Sequence, residues 1–393
     1  MRKLSSLWNE ANLQYAGMCR ASLCNGLMLW EVFMPSFSTL VSLTFAALLF
    51  SCSQEAQQVE SAAAPPKDSW ALADGSEFPA GRPLARAEDG VELPDGTLIV
   101  ADQRYGLAKI DTNGNVEPFG NFDAVDYAHN PPEREGGPNG VHFSADKTDI
   151  LTADVFSGQI YKTSVEKGTT EIIYSHDFGV NTAIEDSTGA IWFTQSTQNI
   201  TEERLFDAIA RPIPDGVLYR LPPVTGESML VKPEAVLEGL NFANGFYLDE
   251  SKNRFYLSET LGHRVLAFDL DIAEGTIANQ STLSAIPSPD NMQLNHDGRL
   301  WVASPLSNQI FSIDVETGES FVVFDAQTDS GANAVLEGLR RYELGEGIVD
   351  LLVPETIGDM PGLLTGMIIG ESPESFYVAN LGEALIKVSV KQP

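Results

Sequence analysis

A turn followed by an apolar strand recurs six times along this chain, and that periodicity constrains the fold more than any other feature. The copies are "PDGTLIVAD" ending at Asp102, "ADKTDILTAD" at Asp154, "STGAIWFTQ" at Gln195, "ESKNRFYLSE" at Glu259, "HDGRLWVAS" at Ser304 and "SPESFYVAN" at Asn380. Each has a turn rich in Asp, Gly, Ser or Asn, then a β-branched or aromatic run. A second apolar strand follows each copy: "LAKID", "QIYKT", "GVLYRL", "RVLAFDL", "QIFSID" and "ALIKVSV". Successive copies end 41 to 76 residues apart, close to the period of a four-stranded blade plus insertions. The pattern predicts an all-β chain, a six-bladed β-propeller with four-stranded blades over residues 76–393. A sandwich would show less uniform strands without six similar units. The extra length falls at residues 197–215 and 326–366 and is expected as loops or short helices over one face. Helical periodicity is confined to about residues 333–344. Trp192 and Trp301 occupy matched strand positions and read as inter-blade core.

Net charge is −31, which argues against nucleic acid as a partner. All three cysteines (Cys19, Cys24, Cys52) lie in the first 52 residues. The rest of the chain therefore has no disulfide, thiolate nucleophile or cysteine metal site. No charged residue occurs from Val32 to Gln54, and "FSTLVSLTFAALLFSCSQ" within that span reads as an export signal. "LFSC" resembles the bacterial lipoprotein processing box, with Phe50 in place of the usual small residue. The expected organisation is a leader over residues 1–52, a flexible tether over 53–75, then the propeller. The missing basic residues before the apolar core point to a natural start at Met28 or Met34. The expectation is an exported protein, held at a membrane through an N-terminal lipid and facing the periplasm or cell exterior. A cleaved signal and an uncleaved anchor are the alternatives.

Counting back 14 or 15 residues from each repeat end meets Glu88, Asn139, Asn181, Asn244 and Asp290; in the sixth repeat it falls near Gly366. Each position heads the first strand of its unit, which in a propeller lines the central channel. Asn291 adjoins Asp290. Asn-Gly usually marks a hairpin turn, but Asn244-Gly245 precedes a strand pair instead. Two carboxylates and three amides, without histidine or cysteine, suit a hard cation. Calcium is preferred for its six to eight oxygen ligands in loose geometry; magnesium or another divalent cation is the alternative.

"FANGFYLDESKNRFYLSETLGHRVLAFDLD" followed by "PSPDNMQLNHDGRLWVA" resembles the strictosidine synthase-like branch of the calcium-dependent six-bladed propellers. That superfamily includes gluconolactonases of the senescence-marker-protein family, paraoxonases and diisopropylfluorophosphatases. The resemblance covers roughly residues 84–390. It implies metal ligands at Glu88, Asn181, Asn244, Asp290 and Asn291, with Asn139 contacting substrate or metal-bound water. It implies Asp290 as ligand and as base or nucleophile, base being the role taken here; a ligand alone is the alternative. The chain departs from the pattern at Asn139, where paraoxonases carry histidine. It departs again at Gly137, where sugar-lactone hydrolases carry arginine. Glu371 falls near the glutamate of the metal-free plant synthases.

The resemblance implies a calcium-dependent hydrolase of lactones or related esters, with a small-molecule substrate. A non-catalytic, membrane-tethered propeller holding structural calcium and binding a ligand or protein is the alternative. No Gly-x-Ser-x-Gly elbow is present. His129, in the loop "YAHNPPERE", is a candidate substrate contact at the channel mouth. His142 reads as packed or surface, and His263, in a hairpin with Arg264, as rim or solvent-facing. Asp102 and Glu259 read as turn stabilisers.

Overall fold

The structure, a computed structural model, describes residues 70–127, 136–198, 209, 211–223 and 231–389. The six repeats are the second strands of six antiparallel sheets: Leu98–Asp102, Asp149–Asp154, Ile191–Gln195, Arg254–Glu259, Leu300–Ser304 and Ser375–Asn380. These strands are buried along almost their whole length. Covered on both faces by neighbouring blades, they read as continuous apolar runs rather than alternating ones. The innermost strands are Gly90–Glu92, Pro138–Phe143, Thr182–Glu185, Ala243–Asp249, Met292–Leu294 and Leu364–Ile368. Each neighbours the next, and the sixth neighbours the first, so a six-bladed propeller closes around a central channel.

Apolar side chains fill the spaces between blades. Trp192 packs its ring 5.6 Å from Phe255 across the third and fourth blades. Trp301 sits 5.0 Å from Phe376 across the fifth and sixth. Both tryptophans are at most 4% exposed, as their matched strand positions predict.

The sixth blade supplies only three strands from its own stretch of chain. Its fourth, outermost strand is Gly75–Phe78, paired antiparallel with Leu385–Ser389. An edge that would otherwise expose unpaired backbone is thus covered by the other end of the molecule. Trp70–Ala71 adds a parallel strand to the fifth blade, beside Ser320–Asp325. Of residues 70–75, expected as the end of a tether, Trp70, Ala71 and Gly75 pair in propeller sheets, and Leu72–Asp74 form a 3-10 turn between them. The leader and the remaining tether lie outside the described residues.

The long insertion after the fifth blade carries helix α1 (Asp329–Leu344) and the short helix α2 (Pro354–Ile357). Thr328 caps α1 by accepting the Gly331 N–H at 2.9 Å, and Gly345 ends it at φ +70°. Ala334 of α1 packs with Phe242, Leu261, Leu306 and Ile348. Ile348 N–H also bonds to Ile209 O of the other insertion at 3.0 Å. The described part of the first insertion therefore meets the second at Ile209.

Candidate metal centre in the channel

The site is built by a device repeated in four blades. The residue ending the second strand is a buried polar group that reaches back to the loop entering the first strand. Asp102 accepts the Ala85 N–H at 3.0 Å, Asp154 the Gly137 N–H at 3.0 Å and Glu259 the Asn241 N–H at 2.8 Å. Ser304 donates to Pro287 O. Two or three residues past each tied point come Glu88, Asn139, Asn244 and Asp290. Asp102 and Glu259 are thus loop clamps, and buried polar groups in such a place need these partners.

Glu88, Asn139, Asn181, Asn244 and Asp290 line one cavity of about 100 Å³. Each is at most 7% exposed. Asn291 joins them by donating Nδ2 to Glu88 Oε1 at 3.1 Å. Glycine lets the strands come this close. A Cβ on Gly245 would lie 2.7 Å from Asn291 Cα, and one on Gly140 2.9 Å from Thr182 Cα. The Asn-Gly pairs at 139–140 and 244–245 therefore serve close approach of the next blade, not a hairpin.

The hydrogen bonds leave a specific set of oxygens bare. Glu88 Oε1 accepts from Asn139 Nδ2 (3.2 Å) and Asn291 Nδ2, whereas Oε2 has no partner. Asn244 donates Nδ2 to Thr260 Oγ1 at 3.1 Å, and Thr260 Oγ1 donates to Pro289 O at 2.8 Å; Asn244 Oδ1 has no partner. Asp290 Oδ1 and Asn291 Oδ1 are likewise buried without one. Asn181 Oδ1 accepts from Thr182 Oγ1 at 3.1 Å. Orphaned buried oxygens are costly; three of these sit on residues lining the cavity and the fourth on Asn291 beside Glu88, the kind of oxygen set a hard cation takes. Among the described residues no three His, Cys, Asp or Glu side chains gather as a metal cluster; this set depends on amides.

Burial raises the Glu88 carboxyl to about 7. Burial first, then the Glu88 charge, holds both Asp89 and Asp290 well above the usual carboxylate range. Burial and the repulsion of Glu88 thus oppose joint ionisation of Glu88, Asp89 and Asp290, which a cation would relieve. Asp89 accepts the Val141 N–H at 2.9 Å.

Other residues complete the cavity without a signature of their own in the repeat pattern. Thr365 lines the cavity at the sixth register position, 15 residues before Asn380, and donates Oγ1 to Glu88 O at 3.0 Å. Thr260 and Arg86 also line it. Arg86 carried no sequence signal, whereas Thr365 was within reach of the register count. Its walls are apolar: Val155, Phe242, Ile348, Leu352, Leu363 and Leu381.

Of the other candidates, His129 lies outside the described residues. His142 is half-buried in the second blade's inner strand, its Nε2 3.7 Å from Asp89 Oδ2. His263, expected at the rim or facing solvent, is only 5% exposed. Its Nδ1 accepts the Ser288 N–H at 2.9 Å, and its ring meets Tyr342 of α1 edge-on, which covers it. Glu371 is exposed and away from the cavity.

Fold and site together define a six-bladed propeller whose channel is lined by acid and amide oxygens. Residues 175–341 match the family profile described as "SMP-30/Gluconolactonase/LRE-like region", which fits the superfamily the motifs resemble. Regucalcin of Sus scrofa is 26% identical over 109 residues, covering 27% of this chain and 36% of that protein. Protein STRICTOSIDINE SYNTHASE-LIKE 3 of Arabidopsis thaliana is 27% identical over 184 residues, 45% of each chain. The chain thus spans about a third of the length of the regucalcin it matches. Among solved structures, a gluconolactonase from Xanthomonas campestris aligns with TM-score 0.54 and 16% identity, over 85% of this chain and 99% of that one. A calcium-binding protein, regucalcin from Agrobacterium tumefaciens, aligns with TM-score 0.52 and 12% identity, over 82% and 95%. At these identities the structural likeness speaks for the fold.

Proposed function

We propose that the protein is a calcium-dependent hydrolase of lactones or related esters bearing apolar substituents. The observation that carries this reading is the set of partnerless buried oxygens, Glu88 Oε2, Asn244 Oδ1 and Asp290 Oδ1 on residues that line one cavity, with Asn291 Oδ1 on the residue bonded to Glu88 beside it. Asn181 would complete the ligand set. A cation bound there supplies Lewis acidity to a carbonyl oxygen and charge against the developing oxyanion. The Asp290 carboxylate, one oxygen of which has no hydrogen-bond partner, would take the proton of the attacking water. Thr260 holds Asn244 in place, and Asn139 and Asn291 hold Glu88. The apolar walls exclude water and fit an alkyl or aryl substituent better than a polyhydroxylated sugar. His129 is proposed as a further substrate contact. Export through the leader, with a lipid on Cys52, is proposed from the sequence.

The test is initial-rate hydrolysis of alkyl-substituted γ- and δ-lactones, aryl esters and sugar lactones, after chelation and after calcium is restored. Calcium-dependent turnover favouring the apolar lactones or esters is expected. Calcium binding with no turnover of any compound would leave the non-catalytic binding propeller as the reading.

A further inference from the structure

We propose that Arg86 is a positioning residue of this site: it fixes the Asn139 amide so that Glu88 presents one bare oxygen to a cation and Asn139 presents none. The inference rests on the metal part of the proposed function. Arg86 is a non-glycine residue at φ +57°, a backbone conformation that persists only when its surroundings hold it. Its Nη1 donates to Pro138 O at 2.7 Å and its Nη2 to Asn139 Oδ1 at 2.8 Å. The guanidinium lies over the Phe156 ring, 5.3 Å from its centroid. That ring has room because residue 137 is glycine; a Cβ there would lie 2.6 Å from Phe156 Cδ2.

A guanidinium only donates, so the amide oxygen of Asn139 must face Arg86 and its nitrogen must face Glu88. The flipped amide would set nitrogen against guanidinium and oxygen against carboxylate. Held this way, Asn139 is saturated: Oδ1 accepts from Arg86, and Nδ2 donates to Glu88 Oε1 and Asn181 O (3.3 Å). Glu88 Oε1 is then satisfied by two amides, and Oε2 alone remains for a cation. Without Arg86 the Asn139 amide can turn, and Glu88 loses an oriented donor.

The test is calcium affinity by titration calorimetry on the chelator-stripped full chain, comparing wild type, Arg86→Lys, Arg86→Met, Asn139→Ala and the Arg86→Met/Asn139→Ala double variant. Arg86→Met is expected to weaken calcium binding about tenfold, as is common for residues that orient metal ligands. Arg86→Lys should recover part of the loss, since an ammonium can still donate to Asn139 Oδ1. The double variant should bind no more weakly than Asn139→Ala alone. Phe156→Leu, which keeps the guanidinium but removes its support, should weaken binding less than Arg86→Met and serves where Arg86→Met fails to fold. Unchanged affinity in Arg86→Met, with melting lowered equally with and without calcium, would show a merely structural residue and overturn the inference. Additive losses in the double variant would overturn the route through Asn139. A wild-type chain that binds no calcium refutes the metal reading and this inference together. One that binds calcium and hydrolyses nothing refutes the reaction alone, because the affinities still decide the role of Arg86.

Discussion

Replacing Glu88 by glutamine should stabilise the metal-free protein at alkaline pH and destabilise it relative to wild type once calcium is present. The Glu88 side chain is 2% exposed, and burial raises its pKa from 4.5 to about 7. For an acid raised in the folded state, the penalty is absent below the unfolded pKa and complete above the folded one. A difference of that size corresponds to roughly 3 kcal/mol against folding at pH 8. Glutamine retains an oxygen to accept from Asn139 and Asn291, but puts an N–H where Oε2 stood, costing about 1 kcal/mol. The net expectation is about 2 kcal/mol of added stability, or a few degrees in Tm for a chain of this size. Calcium reverses the order. Saturation at a thousandfold over Kd adds about 4 kcal/mol to a chain that binds it, and the glutamine variant lacks one of the ligand charges. The assay is urea unfolding at pH 5 and pH 8, with chelator and with calcium. A glutamine variant less stable than wild type at pH 8 in chelator would refute the claim that Glu88 is strained without a cation. An order that does not invert in calcium would refute its role as a ligand.

Three further outcomes follow from the same structure. Trp192→Phe removes the Nε1–H bond to Asp186 Oδ2 (2.9 Å) inside a fully buried blade interface and should cost about 2 kcal/mol in denaturant unfolding; a loss below about 0.5 kcal/mol would contradict it. Burial holds His263 at about 4, so its neutral form supports the fold above about pH 6.5 and that support drains away as the pH falls. About 2 kcal/mol should be gone by pH 5, a slope that His263→Asn should lack in unfolding measured from pH 7 to 5. Removing residues up to Phe78 uncovers the Leu385–Ser389 edge; size-exclusion chromatography should then show association beyond that of the full chain, and an unchanged association state with unchanged Tm would argue against this closure of the sixth blade.

Much of the site was legible because a propeller repeats its geometry. Counting from the repeat ends picks out five oxygen-bearing side chains, and all five line the same cavity. The same count reaches Thr365, whose hydroxyl binds the Glu88 backbone. Arg86 could not be found this way. It lies in a loop outside the register, and its partners Pro138 and Asn139 are 52 and 53 residues away. His263 was misjudged for a related reason: it follows a turn, and turns usually face water, but the α1 insertion lies over it.

The sequence by itself determined the number of blades, the second strand of each and the residues that head the inner strands. These are local matters, set by turn chemistry and by runs of side chains that must leave water. Only the tertiary structure decided which atoms of those residues stay bare. Whether Glu88 offers Oε1 or Oε2, and whether Asn139 offers its oxygen or its nitrogen, depends on donors brought from other blades. The closing strand Gly75–Phe78 and the apolar walls of the cavity were decided in the same way, by contacts between segments far apart in the chain. Burial turns each unmatched polar atom into a cost, and that cost can be assigned only when all the neighbours are in place.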